Sequence, residues 1–123
     1  MLNIQQEKTD SDSVLGFSLN GILNEDDFDF INTVFKKHLE SGRNISAYFV
    51  TKEFKGLSFK AIMEDLKLSI KYYSAIEKIE IISDEKWEKA IRFGDFISPG
   101  IEVEHFYPTE KEEAIEWLKP YHD

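Results

Sequence analysis

The chain has no cysteine, which excludes disulfides, thiolate zinc sites and a cysteine nucleophile at once. It has no apolar run approaching the length needed to span a bilayer. The opening "MLNIQQEKTD" lacks the basic and apolar regions of a signal peptide, so the expectation is a soluble cytoplasmic protein. Proline-, glycine- or serine-rich linkers, internal repeats and low-complexity tracts are also missing. Positive charge is scarce: 15 Lys and Arg stand against 24 acids, a formal net charge of −9. Such a field repels a nucleic-acid backbone, and no basic stripe with interleaved aromatics offsets it. Anionic lipid headgroups are disfavoured for the same reason, so membrane contact would have to be apolar or locally basic.

What is present is ample apolar material. The chain is 41% hydrophobic and 14% aromatic over 123 residues, the size of one domain with a real core. A single domain over residues 1–123 is expected. "VLGFSLNG" alternates Leu15, Phe17 and Leu19 against Gly16, Ser18 and Asn20, predicting a half-buried strand. With "LNIQQE" and the polar "TDSDS" between them, it predicts an N-terminal hairpin. Asn24 before "EDD" predicts a helix start, with acids favoured at the positive end of the dipole. Phe28, Ile31, Val34, Phe35 and Leu39 follow at helical spacing, and Gly42 supplies the stop.

"NISAYFV" is apolar on both faces, as a covered central strand requires. "SFKAIMEDLKLSIKYYS" predicts a second helix capped by Ser58, "KIEIIS" a strand, and a third helix opens at Ser83 or Asp84. "GIEVEHF" is the last strand, with Glu102 and Glu104 marking a sheet edge. Thr109 and Glu112 form a capping box for a fourth helix carrying Ala114, Trp117, Leu118 and Tyr121. The order ββαβαβαβα predicts an α/β domain with a mostly parallel sheet and right-handed crossovers.

The richest stretch chemically is "SDEKWEKAIRFGDFISPGIEVEHF", with one tryptophan, three phenylalanines, one histidine and four glutamates. Secondary structure disperses it. Trp87, Ala90, Ile91 and Gly94 fall on one helical stripe, which reads as core. Ile101, Val103 and His105 share one strand face while Glu102 and Glu104 share the other. His38 reads as a hydrogen-bonded histidine near a helix C-terminus, and His105 and His122 as solitary, so no metal site is expected. Nucleophile-elbow and phosphate-loop motifs are absent. The paired acids Glu64–Asp65 and Glu112–Glu113 point in different directions on helices and read as solvated. No catalytic residues, cofactor or metal are assigned, and the chain is read as a non-enzyme.

The second predicted helix departs from a simple amphipathic pattern. Phe59, Ile62, Met63, Leu66, Ile70 and Tyr73 make a wide core stripe, while Ala61, Leu68 and Tyr72 make a narrower apolar stripe nearly opposite. Phe93 also lies off its helix's core stripe. With Phe96, these residues are the candidate ligand or partner surface, since persistent apolar patches mark ligands, partners or membranes. A covering loop or a second copy of the chain would account for the stripe equally well.

The runs "GILNEDDFDFINTVFKKHLESGRNISAYF", "FKGLSFKAIMEDLKLSIKYYSAIEKIEIISDEKW" and "IEVEHFYPTEKEEAIEWL" resemble the bacterial SpoIIAA-like proteins of the STAS-like superfamily. The most specific parts are "IEIISDEKW" and the spacing of Phe106, Glu110, Ala114, Trp117 and Leu118. The resemblance implies a right-handed β–α superhelix. Anti-sigma-factor antagonists of the superfamily carry a phosphorylatable serine where the second helix begins; here that place reads "EFKGLSFKAI", without an Asp-Ser-Ser-Gly pattern. Ser58 is accordingly both an N-cap and a candidate regulatory phosphosite. The group is similar to lipid-binding CRAL-TRIO domains as well, which implies an apolar ligand or lipid, or peripheral membrane contact. The expected function is a non-catalytic module binding such a ligand, with a protein–protein regulatory module, homodimeric in one form, as the alternative.

Overall fold

The structure, a computed structural model, describes residues 3–9, 11–20, 23–51, 64–65, 75–84 and 102–118. Strands β1 (Ile4–Glu7) and β2 (Val14–Leu19) form the expected antiparallel hairpin. Helix α1 (Glu25–Leu39) leads to β3 (Ile45–Thr51), β4 (Ile76–Ser83) and β5 (Glu102–Phe106). A 3₁₀ turn over Pro108–Glu110 then runs into helix α2 (Lys111–Leu118). The five strands lie in the order β1-β2-β3-β4-β5, parallel from β2 onward. Glu64 and Asp65 are helical, within the span predicted for the second helix.

The α1 face of the sheet carries the larger core. Ile31, Phe35 and Leu39 are buried against Leu15, Phe17, Ala47, Phe49, Ile79 and Ile81. Phe17 stacks on Phe35 at 5.7 Å and on Phe49 at 5.3 Å, tying hairpin, helix and central strand together. On the other face, Val14, Tyr48 and Ile82 bury against Ala114 and Leu118 of α2. Cover on both faces explains why every residue from Ile45 to Phe49 is buried. It also corrects the half-buried reading of β2: Gly16, expected toward solvent, is buried beneath Tyr48.

Helix α1 starts as its sequence requires. The Asn24 side chain accepts from the Asp27 N–H at 3.0 Å, and the Asp27 carboxylate accepts from the Asn24 N–H at 2.8 Å. Asp27 is fully buried because its other oxygen accepts from the Asn3 N–H at 2.6 Å, stitching the start of β1 to the helix. Asp27→Ala would orphan these donors. A loss of about 1–2 kcal/mol is expected, read as a lower urea midpoint with an unchanged m-value. At the other end Gly42 takes φ 83°, the left-handed stop expected there.

The start of the closing helix is corrected. The Glu110 carboxylate, not that of Glu112, reaches back, accepting from the Tyr107 N–H at 3.0 Å. Thr109 lies inside the 3₁₀ turn, and Pro108 occupies the first turn, where its missing N–H costs nothing. The edge position of β5 and the exposure of Glu102 and Glu104 agree with the sequence reading.

Candidate functional site

The ladder registers align one row across all five strands of the α2 face: Glu7, Gly16, Tyr48, Glu80 and Glu104. Three carboxyls and a phenol thus form a row from one sheet edge to the other, with Tyr48 and Glu80 buried at its centre and Glu104 exposed at its end. The glycine decides how they pair. With no Cβ on Gly16, the Tyr48 ring lies across β2 and its hydroxyl donates to Glu7 Oε1 at 2.8 Å. Ser18 donates to Glu7 Oε2 at 2.7 Å, and the Lys111 ammonium of α2 sits 3.2 Å from Oε1. Burial alone would push the Glu7 carboxyl up, but these hydrogen bonds and the Lys111 charge outweigh it and hold the group below its ordinary value. Burial, and then the adjacent Glu7 carboxylate, push the Tyr48 phenol up.

Glu80 has the opposite environment. It is fully buried, and among the described residues neither carboxyl oxygen has a hydrogen-bond partner. Two residues before it, Lys78 donates to the Trp117 carbonyl at 3.0 Å and lies 4.3 Å from the indole centroid, a cation–π contact. Two residues after it, Ile82 packs on α2. Glu80 therefore faces the closing helix. Burial is the main reason its carboxyl is pushed up to about 9; the nearby Lys78 opposes the shift and Glu104 adds to it. At neutral pH this is a neutral carboxylic acid inside the protein.

A second polar group lies at the C-terminal ends of the parallel strands, where open α/β sheets place ligands. Thr51 and Ser83 are adjacent in register and buried. His105 Nε2 lies 3.1 Å from both the Ser83 hydroxyl and the Ser83 carbonyl, and its ring meets Tyr107 edge-on at 4.9 Å. His105 is thus held by Ser83. His38 conforms to expectation: its Nδ1 lies 2.9 Å from the Val34 carbonyl, which only accepts, so Nδ1 carries the proton. A cleft of about 390 Å³ lies beside it, lined by polar residues including Gln6, Lys8, Thr9, Ser11 and Asp12.

The candidate surface residues Ala61, Leu68, Tyr72, Phe93 and Phe96, the candidate phosphosite Ser58, and the core assignments of Trp87 and Gly94 lie outside the described residues. One neighbour of the stripe is described. Asp65, expected to be solvated with Glu64, is half-buried and accepts from the Asn32 amide of α1. Glu112 and Glu113 are exposed, as expected. Among the described residues no group of three or more acids or histidines could hold a metal ion, and no helix is long and apolar enough to cross a membrane. Glu80 is the residue sequence reasoning missed. Its signal was present: an acid set between Ile79 and Ile81 inside "KIEIIS", followed by Ile82.

A hairpin edge, a mostly parallel sheet and a helix on each face make a small α/β domain consistent with a STAS-like fold. The chain belongs to the SpoIIAA-like family, whose sequence profile matches residues 14–119. No curated protein and no solved structure matches it.

Proposed function

We propose that the chain is a single SpoIIAA-like domain acting as a non-catalytic cytoplasmic module that binds an apolar or lipid-like ligand, or docks reversibly on a membrane. The observation that carries the reading is the second apolar stripe of Ala61, Leu68 and Tyr72, set apart from the core stripe of the same predicted helix. The Asn32–Asp65 hydrogen bond supports a specific form of it. By helical spacing Asp65 falls on that stripe, four residues after Ala61 and three before Leu68. In this reading Leu68, Tyr72, Phe93 and Phe96 supply the apolar contact area for the ligand.

Native mass spectrometry of gently purified protein is expected to show an extra mass that organic solvent removes. The double variant Leu68→Asp/Tyr72→Asp should lose that mass while keeping its circular dichroism spectrum. A bare protein that also ignores phosphatidylcholine vesicles would end this reading.

Family membership favours a second reading, a protein–protein regulatory module in which the same surface receives a partner or a second copy. A bare dimer in the same spectrum supports the homodimeric form. Ser58→Glu and Ser58→Ala retaining identical partners would remove the phosphosite from the account.

A further inference from the structure

We infer that the closing helix α2 is a proton-linked cover: it seals the inner face of the sheet while Glu80 is neutral and lifts when that carboxyl ionises. The geometry gives an ionised Glu80 no hydrogen bond among the described residues. Among the described residues the Tyr48 hydroxyl and Lys111 bond to Glu7, and the Lys78 ammonium, although its charge favours the ionised form, turns to the Trp117 carbonyl and makes no hydrogen bond to Glu80. The group directly across the ladder is Glu104, of the same charge, with Glu102 one row away opposite Lys78. Among the described residues Lys78 and Glu104 are the charged groups that act on Glu80. An anion in this position needs water, and water reaches it where the covering is weakest.

That place is α2. The strands on either side of Glu80 are held by ladders that are regular around it, Ile79 to Ser83 against β3 and Lys78 to Ile82 against β5, whereas α2 is eight residues long and rests on Ala114 and Leu118, with Lys111 and Lys78 fastening its two ends. Lifting it hydrates Glu80 and uncovers Val14, Tyr48 and Ile82 together, an apolar face edged by acids. The shift of Glu80 up to about 9 agrees with this geometry and sets the span of pH over which the cover responds.

The sign is fixed by linkage. The closed state keeps the proton and the open state releases it at an ordinary carboxyl value, so opening becomes more favourable as pH rises, by about tenfold per pH unit across that span. Amide hydrogen exchange of the intact chain, corrected for the intrinsic pH dependence of exchange, tests this. Protection of residues 111–118 is expected to fall about 100-fold between pH 6 and pH 8, and to remain below the protection of β3 throughout. In Glu80→Gln, and in Glu80→Met should the amide fold poorly, the fall should vanish. Two results overturn the inference: the same pH slope in the Glu80 variants, or equal protection of α2 and β3, which would mean that the helix opens only with the whole fold.

Discussion

Replacing Glu80 by methionine is expected to stabilise the domain by about 3 kcal/mol at pH 7, an unusual gain for a substitution at a buried site. The carboxyl is pushed up to about 9 in the fold from an ordinary value of 4.5. Between those values the folded protein holds a proton that the unfolded chain releases. The unfolded state therefore binds fewer protons, and stability falls as pH rises, by up to about 1.4 kcal/mol per unit. Below about pH 4.5 both states are protonated and this contribution to instability disappears.

Methionine keeps the length and flexibility of the glutamate and fills the site without a polar atom that needs a partner. Replacement of buried ionic groups by apolar ones of similar volume is stabilising by about 1–4 kcal/mol in other proteins, which brackets the figure. Thermal unfolding should show a midpoint roughly 10 °C higher at pH 7 and a gain under about 1 kcal/mol at pH 5. A destabilised Glu80→Met at pH 8 would mean that the carboxyl is held by a partner, and would remove the physical basis of the cover.

The contrast between Glu80 and the rest of the fold shows what a sequence carries. The Asn24 cap, the stop at Gly42, the hairpin and the acidic edge strand are local signals, each complete within a few residues, and the structure agrees with all of them. The start of α2 was ambiguous even locally. Thr109 with Glu112 satisfies the capping spacing, but Pro108 prefers the first turn and Glu110 reaches Tyr107, so the start moves two residues back.

The interior row was less legible because its pairing is a property of the whole sheet. Whether Glu80 has a partner depends on Tyr48, whose direction depends on Gly16, whose neighbour is Glu7, residues 73 positions apart at the extremes. The pairing of His105 with Ser83 likewise exists only once β4 and β5 are in register. Periodicity marks which residues face inward; it does not say which inward-facing polar groups find one another.

Gly16→Ala tests the origin of that row and is expected to cost about 2–3 kcal/mol. Gly16 has no positive φ, so its backbone admits alanine, and the change would otherwise favour folding slightly by restricting the unfolded chain. The obstacle is Tyr48: a Cβ on Gly16 would lie 2.8 Å from Cε1 and 2.5 Å from the hydroxyl. The ring has little freedom to move, being buried and fastened to Glu7. Displacing it breaks that hydrogen bond and strains the packing under α2.

The size of the penalty should therefore depend on the ring. In a Tyr48→Leu background, which removes the ring and the hydroxyl, adding Gly16→Ala should cost less than about 1 kcal/mol, a coupling of the kind that double-mutant cycles detect between touching residues. In a Tyr48→Phe background the ring remains, and most of the penalty should remain with it. Strict additivity in the leucine background would show that Gly16 is required for some reason other than Tyr48. Glu80 would then be unpaired for a cause other than the tyrosine's turn toward Glu7. The coupling expected here instead makes one missing methyl group on β2 the reason that the phenol bonds to Glu7 while Glu80, next to it in the ladder, has no partner.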